Sequence, residues 1–219
     1  MKNVFYWSIV AALAGLLFGF DTVVISGADK KLQNLWESSD GFHGTVVMGM
    51  ALWGTVVGAL FGSFPTQRLG RKTTLFWIGV LYTISAVGSA LSNDPIVFAV
   101  FRFIGGLGVG ISTIAAPAYI SEIAPPKDRG RLVGLYQFNL VFGILLAFLS
   151  NYLLSDIGDN AWRWMMGVEA FPAILFTLLC LTIPKSPRWL ITRGLVDEAK
   201  AIYAKVDPNG SFDQLLQEI

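Results

Sequence analysis

Long apolar runs fill most of the chain, and short polar stretches separate them. A helix that crosses the hydrocarbon core of a bilayer needs about 20 mainly apolar residues. Six runs reach this length, so the pattern predicts six membrane-spanning helices. They lie at residues 5–28, 44–64, 73–92, 95–120, 132–154 and 162–184. The predicted fold class is therefore an all-α membrane protein.

The pattern changes after residue 184, where polar residues become frequent. Between Leu195 and Val206 the apolar residues recur at helical spacing, and charged residues occupy the opposite face. This spacing predicts a short amphipathic helix that packs beneath the membrane domain. We therefore divide the chain into a six-helix transmembrane bundle, residues 1–184, and a cytoplasmic helical segment, residues 185–219.

Composition supports a membrane protein. Hydrophobic residues make up 54% of the chain and charged residues 14%, against about 25% charged residues in an ordinary soluble domain. The net charge of +1 and the scattered basic residues give no reason to expect a nucleic-acid partner. The single His43 and the single Cys180 adjoin no cluster of ligand residues, so neither a metal nor another cofactor is expected. An enzyme is disfavoured because no nucleophile–base pair, metal cluster or nucleotide loop can be assembled.

Basic residues near the ends of the spans predict how the chain crosses the membrane. One side has only Lys30, Lys31 and Arg163. The other side has ten: Lys2, Arg68, Arg71, Lys72, Lys127, Arg129, Arg131, Lys185, Arg188 and Arg193. Since basic residues concentrate on the cytoplasmic side, we expect both termini in the cytoplasm and the protein in the plasma (inner) membrane.

Three ionisable residues, Asp21, Arg102 and Glu169, interrupt the apolar runs. A charge at the centre of a bilayer costs about 2.5–3.5 kcal/mol, so such residues turn toward a protein interior or a watery cavity. In the predicted topology each lies seven residues below the outer end of its span, which is about 10 Å of helix. The shared level predicts a buried acid–base cluster that is able to titrate. A structural salt bridge between helices is the alternative.

Glycines in the fourth span predict close helix packing. Gly106 and Gly110 lie four residues apart and Gly105 adjoins them, so one helix face carries almost no side chains. A neighbouring helix can approach such a face closely. A nucleotide-binding loop is excluded because these glycines lie inside an apolar span, without a strand before them.

Four short motifs follow one another along the chain. They are Phe18-Gly19-Phe20-Asp21-Thr22, Arg68-Leu69-Gly70-Arg71-Lys72, Arg102 with Gly105-Gly106-Leu107-Gly108, and Pro184-Lys185-Ser186-Pro187-Arg188. Together they resemble the amino-terminal half of the sugar porter family in the major facilitator superfamily. The resemblance implies a six-helix half of a major facilitator fold, built as a 3+3 inverted repeat. It also implies that residues 185–219 begin the linker between two halves.

The resemblance implies one half of a proton-coupled transporter for a monosaccharide. Family members have twelve helices in two halves with the sugar between them, so the partners expected are a monosaccharide, a proton and the lipid bilayer. The carboxy-terminal six-helix half is missing here, and that half or a second copy of the chain is a further expected partner. Transport by a single copy is not expected because alternating access needs two bundles. The alternatives are half of a facilitative sugar uniporter, and a non-transporting sugar sensor or modulator on the same half-fold.

Site residues follow from the same resemblance. Asp21 and Arg102 are expected to couple protons, with Glu169 either an auxiliary titrating group or a packing residue. Gln137 and Phe18 are expected to contact the sugar, although each is also suited to holding helices together. A cytoplasmic gate network is expected from Glu122, Arg129, Arg68, Arg71 and Arg188. The alternative for its basic members is that they only set the membrane topology.

The chain departs from the family pattern at three positions. Ser63 stands where the loop motif usually opens with glycine, and Gln67 stands where it carries an acidic residue. Lys185 replaces the usual glutamate of the motif that closes the sixth helix. Two of these changes remove carboxylates from the cytoplasmic network. The sequence therefore leaves the strength of the inner gate undetermined.

Overall fold

A computed structural model of the chain describes residues 2–207, 210–217 and 219. Within these residues all the regular structure is helical. Among the described residues, six helices are long and apolar enough to cross a membrane, which confirms the six predicted spans. We number them span 1 to span 6: Asn3–Gly27, Asp40–Phe61, Arg71–Leu91, Pro95–Ile123, Arg129–Leu154 and Ala161–Thr182.

Several spans consist of more than one helical segment. Span 1 ends in a 3₁₀ turn at Ile25–Gly27, and span 2 begins with Asp40–Phe42 and a π-helical segment at His43–Met48 before Met50–Phe61. Span 6 is divided into Ala161–Gly167 and Ala170–Thr182. The shorter helices outside the spans are Asp29–Leu35, Ser63–Arg68, Pro187–Thr192, Val196–Val206 and Phe212–Gln217.

Local sequence explains where span 4 begins and how span 2 turns into span 3. The Asp94 side chain accepts hydrogen bonds from the backbone N–H groups of Ile96 and Val97, and Pro95 occupies the first helical position. Gly70 has a φ of 86°, which glycine adopts without steric cost. The indole of Trp189 packs against Gly70, so a side chain there would meet the ring.

Two helix pairs pack through glycine. Gly15 and Gly19 of span 1 lie against the backbone carbonyls of span 5, and Gly106 and Gly110 of span 4 lie against those of span 2. A Cβ atom at any of these four positions would clash with a carbonyl oxygen. The close approach predicted for the glycine face of span 4 is therefore confirmed.

The packing has the symmetry of a 3+3 repeat. Span 1 packs most extensively on span 5, and span 4 packs most extensively on span 2. Exchanging spans 1–3 with spans 4–6 converts the first set of contacts into the second, and the contact between spans 3 and 6 is unchanged. This pattern is that of two three-helix units related by an inverted repeat.

Different parts of the chain cover the two ends of the bundle. One end carries the loops after spans 2 and 4 together with the helices beyond residue 184, and we call it the predicted inner end. Val196–Val206 packs there with Ala199 and Val206 buried, as expected for an amphipathic helix. The other end, the predicted outer end, is closed by an aromatic cluster of Trp36, Phe98 and Trp162. The division at residue 184 stays a prediction.

Candidate functional site

The centre of the bundle holds a buried ion pair between spans 1 and 4. Arg102 donates through Nη1 to Oδ1 of Asp21 and through Nη2 to the backbone carbonyl of Asp21, the latter at 2.9 Å. Only 1% of Asp21 and 2% of Arg102 is exposed. Because charge-assisted hydrogen bonds in a dry interior are strong, this pair fixes the two helices at one level.

Glu169 joins the pair from span 6. It is 1% exposed and interacts electrostatically with both Asp21 and Arg102. Its Oε1 atom has no hydrogen-bond partner among the described residues. The structure therefore brings together all three ionisable residues that interrupt the apolar runs. We call Asp21, Arg102 and Glu169 the charged cluster.

The break in span 6 places Glu169. Span 6 leaves regular α-helix at Val168 and Glu169, between its two segments. Pro172 lies four residues after Val168 and has no N–H to donate to the carbonyl of that residue. Phe171 donates to this carbonyl instead, at 3.2 Å. A single proline thus produces the irregular turn from which the carboxylate points into the bundle.

Hydroxyl groups surround the charged cluster, and they were not among the residues predicted from the sequence. Tyr82 and Ser85 of span 3 are buried, and the hydroxyl of Ser85 has no hydrogen-bond partner within the part of the chain that the structure describes. Tyr82 interacts electrostatically with Asp21 and Glu169. Ser112 of span 4 lies 3.3 Å from the hydroxyl of Tyr136 on span 5. Polar residues at helical spacing on one face of span 3 were the signal available in the sequence.

Gln137 and Phe18 lie at the same height on neighbouring spans. Gly15 and Gly19 of span 1 contact the backbone of Tyr136 and Leu140, so residues 15–19 and 136–140 face each other. The side chain of Gln137 is exposed, whereas Phe18 is half-buried and packs on the core. Phe18 is one helical turn from Asp21, so the proposed sugar contacts border the charged cluster.

A second ion pair joins spans 3 and 4 at the predicted inner end. Arg71 donates to Oε1 of Glu122 through Nη2 at 2.8 Å and through Nε at 3.0 Å, and its Nη1 donates to the carbonyl of Thr66 at 3.3 Å. The two charged side chains are 18% and 14% exposed. Two nitrogens of the guanidinium thus donate to one carboxylate oxygen, and such charge-assisted hydrogen bonds are stronger than neutral ones.

The remaining candidates for the gate divide into two groups. Arg129 and Arg188 line a cavity of about 190 Å³ together with Glu122, beneath the end of span 4. Arg68 lies apart from it, with its guanidinium 4.9 Å above the ring of Phe64. The structure therefore brings Arg71, Glu122, Arg129 and Arg188 to one region and leaves Arg68 outside it.

The positions that depart from the family pattern have partners of their own. The backbone carbonyl of Gln67 accepts hydrogen bonds from Nε1 of Trp189 at 2.8 Å and from Nη2 of Arg193 at 3.0 Å. The amide of Gln67 donates to Oγ of Ser63 at 3.1 Å. Lys185 pairs with Glu198 at 3.2 Å. These contacts tie the loop after span 2 and the end of span 6 to the helices beyond residue 184.

Comparison with known proteins gives a family match along nearly the whole chain. The family described as "Sugar (and other) transporter" matches residues 7–219. The D-xylose-proton symporter of Escherichia coli is 38% identical over 247 residues, covering 99% of this chain and 50% of that protein. The glucose transport protein of Synechocystis sp. is 40% identical, covering 100% of this chain and 49% of that protein.

Solved structures give the same result. The proton:xylose symporter XylE, bound to 6-bromo-6-deoxy-D-glucose, superposes with a TM-score of 0.92 at 35% identity. The superposition covers 99% of this chain and 52% of XylE. The chain thus spans about half the length of the curated relatives that it matches.

Proposed function

Because this chain belongs to the sugar (and other) transporter family and has the fold of the amino-terminal half of a major facilitator protein, we propose that it acts as one half of a monosaccharide transporter. The proposed mode is sugar–proton symport in partnership with a second six-helix bundle. The observation that carries the proposal is the buried charged cluster at the centre of a sugar-transporter half.

The cluster supplies the proton-dependent step. A proton that binds the Asp21 carboxylate removes the negative charge that Arg102 faces. A buried charge without its counter-ion is costly, so the guanidinium then favours a different set of partners. Glu169 is the nearest remaining carboxylate, and it sits on another helix. Protonation would therefore bias the relative packing of spans 1, 4 and 6, which is a charge-driven switch.

The second bundle has an extensive apolar surface to occupy. Spans 2 and 5 pack on the bundle by one face only, and their other faces expose large apolar and aromatic residues. On span 5 these are Phe138, Val141, Phe142, Leu145, Phe148, Leu149, Tyr152 and Leu153. Alternating access requires two bundles that rock about a central site. We propose that another bundle covers these faces in part, either a carboxy-terminal half or a second copy of this chain.

The proposed sugar contacts fit a site between the two bundles. The Gln137 amide both donates and accepts hydrogen bonds, which suits a sugar hydroxyl. Its side chain is exposed on span 5, the same span that presents the free apolar face. Phe18 offers an aromatic surface at the same height on span 1.

The ion pairs at the predicted inner end form the proposed cytoplasmic gate. Arg71 and Glu122 hold spans 3 and 4 together, while Arg129 and Arg188 line the adjoining cavity. Arg68 is proposed to contribute to the gate only through its contact with the ring of Phe64. This assignment places the gate, both termini and the helices beyond residue 184 on the cytoplasmic side of the plasma membrane.

A reconstitution experiment tests the proposal. The chain is co-produced with the carboxy-terminal six helices of the Escherichia coli D-xylose–proton symporter, and uptake of labelled xylose is measured in vesicles with and without an inward proton gradient. The same symporter, divided into its own two halves, is the control. Accumulation driven by the gradient supports symport. Equal flux with and without the gradient indicates a uniporter half, and sugar binding without flux indicates a sensor.

A further inference from the structure

A line of buried serines runs along span 3 from the charged cluster to the predicted outer end. Ser85, Ser89 and Ser92 lie at spacings of four and three residues, so they share one helix face. They are 1%, 1% and 3% exposed. Ser92 ends the line where the helix stops, with its hydroxyl donating to the carbonyl of Ser89 at 2.8 Å. We call these residues the serine track.

The inner end of the track reaches the carboxylate of Asp21. A Cβ atom at Gly105 would clash with the hydroxyl of Ser85 and would lie 3.5 Å from Oδ1 of Asp21. The hydroxyl and the carboxylate therefore converge on the same small space, which glycine leaves open.

Unpaired polar atoms concentrate around that space. In residues 2–207 the hydroxyls of Ser85 and Ser89, Nε of Arg102 and Oε1 of Glu169 are buried without a hydrogen-bond partner. A buried polar atom without a partner costs about 1–3 kcal/mol. Internal water satisfies such atoms when two to four polar groups surround it.

We propose that the serine track and Glu169 hold internal water, and that this water is the route by which protons from the predicted outer side reach the charged cluster. A proton enters at Ser92 and passes between water molecules and the hydroxyls of Ser89 and Ser85. It ends on the carboxylate of Asp21 or Glu169, and no covalent bond other than O–H bonds changes. The inference rests on the proposed role of these carboxylates as proton acceptors.

The charged and titratable groups around the route come from all the helices that face it. They are Asp21 of span 1, Tyr82 of span 3, Arg102 of span 4, Tyr136 of span 5, and Glu169 and Arg163 of span 6. Arg163 stands at the mouth of the track, where its Nη1 donates to the carbonyl of Ser92 at 2.7 Å. Arg163 therefore holds the end of span 3 through a backbone carbonyl. The hydroxyls of the serine track stay in the interior of the bundle.

Proton exchange at the cluster tests the route without requiring transport. The full chain in lipid nanodiscs is mixed rapidly with D₂O, and the carboxylic-acid band that Asp21→Asn or Glu169→Gln removes is followed by time-resolved infrared spectroscopy. The double variant Ser85→Ala/Ser89→Ala is expected to exchange more slowly by a factor of about ten to a hundred. Ser85→Thr keeps a hydroxyl and should exchange at close to the parent rate.

A matched control comes from a buried serine that lies away from the proposed route. Ser8 is also buried with a hydroxyl that lacks a partner in the described structure, but it lies on span 1 near the other end. Ser8→Ala should leave the exchange rate unchanged. The route is wrong if the double variant exchanges as fast as the parent, or if the parent has no such band.

The Tm of each serine variant tests independently whether the hydroxyl that it lacks binds internal water. Removing a hydroxyl that holds water should lower the Tm, whereas removing a dry, unpaired hydroxyl should leave it unchanged or raise it. A fall in Tm for Ser85→Ala and Ser89→Ala supports internal water, and no change or a rise overturns it. Failure of sugar uptake in the reconstituted vesicles would reject the proposed function and leave these two measurements intact.

Discussion

Arg102 holds Asp21 at two of its atoms, the carboxylate oxygen Oδ1 and the backbone carbonyl oxygen. The backbone contact does not depend on the charge of the carboxylate. Protonation of Asp21, as proposed, would remove the attraction between the two side chains and leave the backbone carbonyl as one of the partners open to Arg102. The backbone contact is thus independent of the proton-coupling role that we propose for the Asp21 carboxylate.

Replacing Asp21 with asparagine tests whether the backbone contact and the charge of the carboxylate have separate roles. Removing one partner of a buried ion pair usually destabilises a protein by about 3–5 kcal/mol. We expect Asp21→Asn to cost less, because the amide oxygen and the backbone carbonyl both still accept from Arg102. Sugar accumulation driven by a proton gradient should be lost in the reconstituted vesicles. Asp156→Asn, at an exposed position, is the control and should retain it. Gradient-driven accumulation by Asp21→Asn would remove this residue from the coupling mechanism.

The proposed sugar contact is tested by Gln137→Ala. The side chain is exposed, so its removal should leave the Tm within a degree or so of the parent value. Sugar affinity in the reconstituted complex should fall by about tenfold, which corresponds to about 1.4 kcal/mol for a lost hydrogen bond to a sugar hydroxyl. Gln217→Ala, at an exposed position near the end of the chain, should leave affinity unchanged. Unchanged affinity in Gln137→Ala would rule out this contact.

The glycine interface between spans 2 and 4 should tolerate no side chain. A Cβ atom at Gly110 would collide with the carbonyl of Thr55 and the amide of Ala59, so Gly110→Ala must separate the helices. We expect a loss of about 1–3 kcal/mol, the usual cost of overpacking a core. Gly134 lies in span 5, and a Cβ atom there would meet no described atom within 4 Å, so Gly134→Ala should be neutral or stabilising. Unfolding monitored by circular dichroism in detergent compares the two variants.

The pair of Arg71 and Glu122 should be energetically coupled. Both side chains are largely buried and two guanidinium nitrogens donate to the carboxylate, which distinguishes the pair from the exposed pair of Lys185 and Glu198. A double-mutant cycle with Arg71→Gln and Glu122→Gln is expected to give a coupling energy of about 1–3 kcal/mol in the free energy of unfolding. The same cycle at Lys185 and Glu198 serves as the reference for a solvent-exposed pair. Equal coupling energies in the two cycles would contradict a special role for Arg71 and Glu122.

The sequence was sufficient for the spans because their signal is local. Twenty apolar residues in succession define a membrane helix regardless of the helices around it. Glu169 was also predictable as a buried charge, since it interrupts an apolar run that has no other acidic residue. The hydroxyls of Tyr82 and Ser85 were missed because serine and tyrosine are common in helices. Their importance depends on what faces them, and the sequence of one helix does not contain that information.

By itself, the sequence determined that this chain forms six membrane helices, which of their residues carry charge, and which helix face in span 4 is free of side chains. These properties follow from the length and hydrophobicity of each segment. The tertiary structure alone decided that Arg102 bonds Asp21 at two atoms, that Glu169 joins this pair, and that Gln67 is held through its backbone by Trp189 and Arg193. Such contacts join residues far apart in the chain, and they depend on the relative height and rotation of the helices. Packing sets both quantities, so no local pattern specifies them.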